Sequence, residues 1–233
     1  MNINNIKKIN IAIDGPAGAG KSSVARRLAE RLGYIYIDTG AMYRAVTYYV
    51  LQGGLAVDQH EQIAECLNKV DITFKVTPEK QLVFLNGQDI TEPIRTPEVS
   101  RNVSQIASYE EVRSFLVRQQ QLMAENLGVV MDGRDIGSAV LPDAALKIYL
   151  TASVEERARR RFEETKGTAN EIPFEQLIKE IAARDYADMN RAFSPLVIAN
   201  GAIEVDSTSM NMQQVIDHLF NLSSYVINGG EGR

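Results

Sequence analysis

Apolar and polar positions at the start of the chain alternate between strand-like and helix-like patterns. A mostly apolar run at 9–13, interrupted by Asn10, stops at Asp14, and a second apolar run at 34–37 stops at Asp38. Between them, apolar residues recur at helical spacing across 24–32. Because a strand, a helix and a second strand in about 30 residues form a βαβ unit, we predict that these strands are parallel and buried.

The pattern in the middle of the chain, from Asp71 to Ile90, becomes rich in strand-forming residues. Ile72–Val76 and Leu82–Leu85 read as strands around a turn at 78–80, and the pair Asn86–Gly87 is a strong type I′ hairpin signal. This segment is interpreted as a small antiparallel insert in an α/β chain. Ser153 and Glu156 are expected to form a capping box at the start of an arginine-rich helix. Further helices are predicted at about 41–52 and 212–226, helical segments over 97–127, and a helix that starts at Pro173. Further core strands are predicted at 129–131, 146–150 and 203–205.

Composition narrows the class of protein. The 233 residues carry a net charge of -5, which argues against a nucleic-acid binder. Cys66 is the only cysteine and there are two histidines, so neither an internal disulfide nor a soft-metal site is expected. No apolar run is long enough to span a bilayer, and the start lacks the features of a signal peptide. A monomeric, cytoplasmic protein without membrane or nucleic-acid partners is therefore expected.

The segment after the first strand matches the phosphate-binding pattern G-x-x-x-x-G-K-[ST] in full. A compact glycine-permitted loop aims several backbone N–H groups at one point, and the following helix adds the positive end of its dipole. Lys21 is placed to reach the β- and γ-phosphates of a nucleoside triphosphate, and the hydroxyl of Ser22 to bind Mg²⁺. The loop and the residue after it, all predicted to bind ATP, are Gly15, Pro16, Ala17, Gly18, Ala19, Gly20, Lys21, Ser22 and Ser23.

This loop does not by itself distinguish a kinase from a GTPase. Residues 68–71 spell Asn-Lys-Val-Asp, which resembles the guanine-reading motif of GTPases. They follow a helical stretch instead of a late core strand, and no Asp-x-x-Gly element precedes them after the loop, so coincidence is favoured. A dinucleotide site is also disfavoured, because Ser23 stands where G-x-G-x-x-G counted from Gly18 requires glycine.

Arginines at predicted strand ends indicate a second anionic ligand. Arg44 follows the second strand and Arg134 follows another core strand, the positions at which open α/β sheets bind ligands. Arg184, Asp188 and Arg191 are spaced so that they share one helix face. A planar guanidinium pairs well with phosphate, although any one of these arginines alone is as consistent with a solvated surface.

Four further motifs follow along the chain: Asp38–Arg44, Ser104-Gln105 with Arg113, Asp132–Asp135, and Arg184–Arg191. Together they resemble the motifs of bacterial cytidylate kinases, and the resemblance runs in order from about Ile9 to Leu222. The resemblance implies a three-layer α/β P-loop kinase core with a parallel sheet, an antiparallel β insert in the nucleoside-monophosphate-binding region, and a short helical lid. It implies one domain over 1–227, with the insert at 57–100, the lid at about 157–172 and a tail at 228–233.

The resemblance also implies roles for single residues. The cytosine ring is expected to be read by Ser104, Arg113 and Asp135, the acceptor sugar by Arg184 and Asp188, and the phosphates by Arg44, Arg134 and Arg191. Thr39 stands where some members have serine, and Asp38 and Tyr43 complete the expected CMP site. Arg157, Arg160 and Arg161 fall where the lid begins, with Arg157 and Arg160 expected at ATP. Lys21, Arg134, Arg161 and Arg191 are expected to be catalytic.

The expected reaction is transfer of the γ-phosphate of ATP to CMP or dCMP, with Mg²⁺ as cofactor, as in pyrimidine nucleotide metabolism. The attacking phosphate oxygen is already anionic, so positioning and electrostatics suffice without a general base. Asp14 and Asp132 end core strands and are candidates to hold the waters of the metal, or equally to cap neighbouring turns. Two alternatives stay open: a P-loop kinase for another acceptor such as UMP or a small metabolite, and a nucleotide-dependent switch or module without an acceptor.

Overall fold

The computed structural model describes residues 8–77, 81–168 and 171–230, and the chain forms two compact units. The first unit comprises the residues up to Asp38 together with those from Gln120 onward, and the second comprises Thr39–Gln119. Among the described residues, every helix is too short or too polar to cross a membrane.

The first unit is built on a parallel sheet. Within the described ranges its strand order is β2-β6-β1-β7-β8, so the first strand of the chain lies at the centre of the sheet. The strands are β1 (Ile11–Asp14), β2 (Ile35–Asp38), β6 (Val129–Gly133), β7 (Leu146–Thr151) and β8 (Ile203–Asp206). The helices are α1 (Lys21–Leu32), α6 (Val154–Thr165), α7 (Phe174–Asn190) and α8 (Met212–Ile227), with a π-helix at Ile136–Val140.

The apolar pattern of β1 explains its central place. All four of its residues are buried, as expected for a strand covered on both faces of a parallel sheet. Val24 and Leu28 of α1 and Leu219 of α8 pack into the same core as Ile11 and Ile13. Because the sheet is parallel, the carboxyl ends of its strands lie along one edge, and this edge carries Asp14, Asp38 and Asp132.

The second unit combines helices with an antiparallel sheet, in the order β3-β4-β5 within the described residues. Its elements are α2 (Thr39–Gln52), α3 (His60–Cys66), β3 (Ile72–Val76), β4 (Gln81–Leu85), β5 (Gln88–Asp89), α4 (Pro97–Ile106) and α5 (Glu110–Ala124). Short 3₁₀ turns occupy Leu67–Lys69 and Pro93–Arg95. The last residues of α5, from Gln120, belong to the first unit.

The predicted α/β fold with a parallel sheet and a small antiparallel insert is confirmed. Asn86 and Gly87 both have positive φ, 50° and 79°, as a type I′ turn requires, and they connect β4 to β5. The turn predicted at 78–80, part of the predicted lid (169–170) and the end of the tail (231–233) lie outside the described residues.

The helical segments predicted over 97–127 are two helices, α4 and α5, separated at 107–109. One local prediction was wrong. The capping box at Ser153 is only half formed. The Ser153 hydroxyl accepts from the N–H of Glu156, but the Ser153 N–H donates to Thr208, because the Glu156 carboxylate is engaged by arginines of its own helix. A complete capping box joins Asn211 and Gln214 at the start of α8 instead.

Candidate active site

The phosphate loop between β1 and α1 has a backbone that only glycine tolerates at its start. Gly15 has φ +146°, and a Cβ there would lie 2.0 Å from the carbonyl oxygen of Leu150. Gly20 adopts the left-handed conformation at the N-cap of α1, where no side chain caps the helix. The first-turn N–H groups of α1 are thus not bonded by a capping side chain, the arrangement that binds phosphate at a helix start.

Lys21 lies inside the loop that precedes it. Its side chain is buried, and its Nζ donates to the carbonyl oxygen of Pro16 at 2.7 Å. Burial, and then the charge of Arg134, lower the pKa of the Lys21 ammonium well below its ordinary value. A phosphate beside this ammonium would favour its charged form, so the position suits an anionic ligand.

Ser22 meets an acidic side chain from β6. Its hydroxyl donates to Asp132 Oδ2 at 2.7 Å, and the Tyr36 hydroxyl donates to Asp132 Oδ1 at 2.8 Å. Burial, and then the negative charge of Asp38, raise the pKa of Asp132 to about 6, from an ordinary value of 3.8. One hydroxyl and one carboxylate oxygen are ligands that Mg²⁺ accepts, and substrate phosphates and water normally complete its shell.

Asp14 uses both carboxylate oxygens on backbone groups. Oδ1 accepts from the N–H of Ile136 at 2.8 Å and Oδ2 from that of Gly137 at 2.7 Å, so Asp14 holds the start of the π-helix. Burial raises the pKa of Asp14 to about 6, against the effect of these two N–H groups. Of the two roles predicted for Asp14, holding the waters of a metal or capping a neighbouring turn, the structure shows the turn-capping contacts. Among the described residues, no group of three or more His, Cys, Asp or Glu side chains is placed to hold a metal by itself.

Four predicted acceptor residues come together in the first unit around Asp188 of α7. Arg134 donates through Nε to Asp188 Oδ2 at 2.8 Å, and Arg191 lies 4.0 Å from Asp188 Oδ1 and 3.7 Å from Asp135 Oδ1. Burial opposes ionisation of Asp188, but Arg134 and then Arg184 and Arg191 lower its pKa below the ordinary value. The cluster is an arrangement of guanidinium groups, held by buried carboxylates, at the edge where the strands end.

The three predicted lid arginines have different surroundings. Arg157 is buried, and it contacts the phosphate loop by donating to the Ala17 carbonyl oxygen at 2.9 Å. Arg160 donates to Ser207 O at 2.7 Å and to Ala19 O at 3.4 Å. Arg161 is 57% exposed and pairs with Glu164 on the same helix.

In the second unit, the structure brings two predicted residues together. The Arg113 guanidinium lies over the Tyr43 ring, 5.3 Å from its centroid, and donates to the Ala107 carbonyl oxygen at 3.0 Å. Both side chains are buried. Arg44 and Ser104 are half-buried on α2 and α4.

Sequence reasoning missed a cavity beside the phosphate loop, within the first unit. It has a volume of about 530 Å³ and is bordered by Ala19, Gly20 and Arg160 on one side and by 207–212 on the other. The signal was available, because these last residues directly follow β8, at the same edge as the other strand ends. The cavity was not predicted because Ser, Thr and Asn after a strand are equally typical of a plain turn.

A glycine-rich phosphate loop on a parallel sheet, with a buried lysine and an arginine cluster at the same sheet edge, defines the class of P-loop kinases. The chain belongs to the cytidylate kinase family, whose profile matches residues 11–224. It is 52% identical over 222 residues to a cytidylate kinase of Caldicellulosiruptor bescii, covering 95% of this chain and 98% of the relative. It is 53% identical over 213 residues to a cytidylate kinase of Bacillus subtilis, covering 91% and 95%. The predicted family is confirmed.

Among solved structures, an uncharacterized protein from Eubacterium ventriosum superposes with a TM-score of 0.50 at 12% identity. The match covers 95% of this chain and 99% of that chain. At this identity the likeness concerns the fold alone.

Proposed function

We propose that this chain transfers the γ-phosphate of ATP to CMP or dCMP, giving ADP and CDP or dCDP. The observation that carries the proposal is the phosphate loop, in which a buried Lys21 ammonium and the uncapped start of α1 form a cradle for phosphate. The choice of CMP as acceptor is supported by membership of the cytidylate kinase family.

The donor is held by the loop 15–22, with Ser23 in the first turn of α1. Lys21 compensates charge on the β- and γ-phosphates, and Arg161 stabilises the transferred group. The cavity bordered by Arg160 and residues 207–212 receives the nucleoside half of ATP, since it adjoins the loop at Ala19 and Gly20. Arg157 of α6 contacts the loop by donating to the Ala17 carbonyl oxygen.

Ser22 and Asp132 are the residues that would hold Mg²⁺. They fit this ion because a hydroxyl and a carboxylate lie 2.7 Å apart beside the phosphate loop. When bound there, Mg²⁺ supplies positive charge against the phosphates of the donor. Asp14, whose oxygens accept two backbone N–H groups, contributes only through water.

The acceptor roles are assigned unit by unit. In the first unit, Arg134 and Arg191 bind phosphate and Asp135 accepts from the exocyclic amine of cytosine, a donor that uracil lacks. Arg184 and Asp188 bind the sugar, and Asp38 ends β2 at the same edge. In the second unit, Arg44 binds phosphate, Arg113 and Ser104 read the base, and Thr39 and Tyr43 support them. We also propose that the insert comprises 57–100 and the lid about 157–172, as the family resemblance implies.

We also propose a monomer in the cytoplasm, where both nucleotides are available and the single cysteine, Cys66, has no intramolecular partner for a disulfide.

An acceptor panel tests the reaction. With ATP and Mg²⁺ supplied, ADP formation is expected to depend on added CMP or dCMP, and to fall steeply when UMP or AMP replaces them. Equal rates across the panel would favour a P-loop kinase for another acceptor. Slow ADP formation that no acceptor changes would favour a nucleotide-dependent switch.

The role of Asp135 is tested by Asp135→Ala. We expect the ratio of kcat/KM for CMP over UMP to fall by about 10–100-fold, the usual worth of one or two buried hydrogen bonds, with little change in KM for ATP. Asp143→Ala, an exposed aspartate beyond the π-helix, is the control. An unchanged CMP/UMP ratio in Asp135→Ala would contradict the assignment.

A further inference from the structure

Arg157 of α6 and Asp185 of α7 form a buried ion pair that the reaction as described does not use. Arg157 Nη2 and Asp185 Oδ2 are 2.6 Å apart, and the two side chains are 5% and 11% exposed. Removing charges from water is costly, so a pair this buried persists only where both partners stay engaged. The pair lies between the phosphate loop, which Arg157 contacts at Ala17, and α7, which carries Asp185.

Arg157 joins three separate segments of the first unit. Besides Asp185, its Nε donates to the Ala152 carbonyl oxygen and its Nη1 to the Ala17 carbonyl oxygen, each at 2.9 Å. Each guanidinium nitrogen therefore has a partner within the protein, and three of its five N–H donors are used in these bonds. Arg157 is built to hold the loop, whereas Arg161 on the same helix is exposed.

The bond to Ala17 sets the direction of a peptide group in the phosphate loop. In a trans peptide the C=O and the following N–H point in opposite directions. When Arg157 holds the Ala17 carbonyl oxygen, the N–H of Gly18 must therefore point away from Arg157. Gly18 also packs directly on the Arg157 side chain, because a Cβ on Gly18 would lie 3.3 Å from Arg157 Cβ.

Asp185 links this bond to the acceptor cluster. It lies on α7 beside Arg184 and one turn before Asp188, whose carboxylate pairs with Arg134 at 2.8 Å. The helix is stiff over one turn, so a shift of Asp188 or Arg184 on engaging a ligand must also move Asp185. Asp185 holds Arg157 through one oxygen only, and its buried Oδ1 has no hydrogen-bond partner among the described residues. A small movement of α7 would thus shift the Arg157 guanidinium and so change its hydrogen bond to the Ala17 carbonyl oxygen.

We propose that Arg157 and Asp185 are positioning residues that couple the shape of the ATP phosphate loop to the helix carrying the acceptor-binding groups. Binding of CMP at α7 would change the affinity of the loop for ATP, and ATP would change the affinity for CMP by the same factor. The proposal rests on the proposed function, because it takes the loop as the donor site and α7 as part of the acceptor site.

The test measures the dissociation constant of a non-hydrolysable ATP analogue with Mg²⁺, with and without saturating CMP. In the unchanged protein the two constants are expected to differ by at least about fivefold. Asp185→Asn keeps an oxygen for Arg157 but removes the charge, and is expected to bring the ratio to within about twofold of 1. The matched control is Glu180→Gln, the same chemical change at an exposed position of α7, which should retain the original ratio.

Arg157→Lys is the second variant, since a single ammonium cannot reproduce the planar three-way contact. It is expected to lose the coupling as well, and the double variant to lose no more than either single one. Thermal unfolding identifies a variant that does not fold. If either Asp185→Asn or Arg157→Lys fails to fold, the ratio measured for the other variant decides between retained and lost coupling. A wild-type ratio near 1, or folded variants with the wild-type ratio, would overturn the proposal. Failure of the proposed function is separate, because it would appear as absence of CMP-dependent ADP formation in the unchanged protein.

Discussion

Replacing Asp132 by Asn should make the fold more stable while it impairs catalysis. The pKa of Asp132 is raised to about 6 from 3.8, so folding disfavours its ionised form. For a raised carboxyl pKa, stability is highest where the group is protonated in both states and falls as the pH rises from about 4 to about 6. A shift of about two units corresponds to on the order of 3 kcal/mol at neutral pH. This is the most that Asp132→Asn can regain, because Lys21 also loses a nearby opposite charge.

The partners of Asp132 allow an amide in its place. Two of its hydrogen-bond partners are the hydroxyls of Ser22 and Tyr36, and a hydroxyl can rotate to accept from an amide as well as donate to it. Asp14 provides the matched comparison, because its pKa is also raised to about 6 but its partners are two fixed backbone N–H donors. Asp14→Asn would set an N–H donor against one of these, so its gain should be smaller by about 1–3 kcal/mol.

The assay is thermal unfolding of wild type and Asp132→Asn across this pH range, together with the CMP-dependent rate. At about pH 7.5 we expect a melting temperature higher by about 5–10 °C, because each kcal/mol shifts a chain of this size by about 2–4 °C. The difference should close toward about pH 4, where the wild-type carboxyl is protonated. The rate should fall if Asp132 holds Mg²⁺. A variant less stable than wild type at neutral pH, or a difference independent of pH, would refute the reasoning.

Two further predictions concern the loop and the lid. Gly15→Ala would place a methyl group 2.0 Å from the Leu150 carbonyl oxygen, so thermal unfolding should show a loss of stability of about 2–4 kcal/mol. The control Gly33→Ala should lose only about 1 kcal/mol, because φ there is +67° but the space around the new methyl group is open. Equal losses would contradict the close approach at Gly15. Arg161 and its partner Glu164 are 57% and 65% exposed, so Arg161→Ala should leave the melting temperature nearly unchanged while steady-state kinetics show kcat lower by about 10³-fold or more. An unchanged kcat would remove Arg161 from the catalytic set.

The parts of the fold that depend on local patterns could be predicted from sequence. The loop, the first two strands and the Asn86–Gly87 hairpin follow from spacing and from residues that permit positive φ. The position of the break between α4 and α5 could not be predicted, because residues 107–109 contain neither Gly nor Pro and the helical pattern appears continuous there.

The pairing of side chains distant in sequence could not be predicted. Ser22 and Asp132 are 110 residues apart, and their contact depends on β6 lying beside β1. Arg157 illustrates the same limit, because the polar pattern of its helix does not show which of the neighbouring arginines is buried. Its burial results from α7 and the phosphate loop meeting it from two sides. Strand order and helix packing decide such contacts, and neither is encoded in a local window.

The pKa shifts of the charged groups beside the phosphate loop are typical of a ligand-binding site, in which stability of the free protein is lower than it could be. Lys21, Asp132 and Asp14 all have pKa values shifted toward their neutral forms, and burial is the largest cause in each case. Three such groups beside one phosphate loop lower the stability of the free protein, a common property of binding sites. A nucleotide with its metal brings opposite charges to Lys21 and to Asp132, and so relieves part of this cost on binding. The fold should therefore gain more stability from ATP with Mg²⁺ than from ATP alone, because only the pair compensates both buried signs of charge.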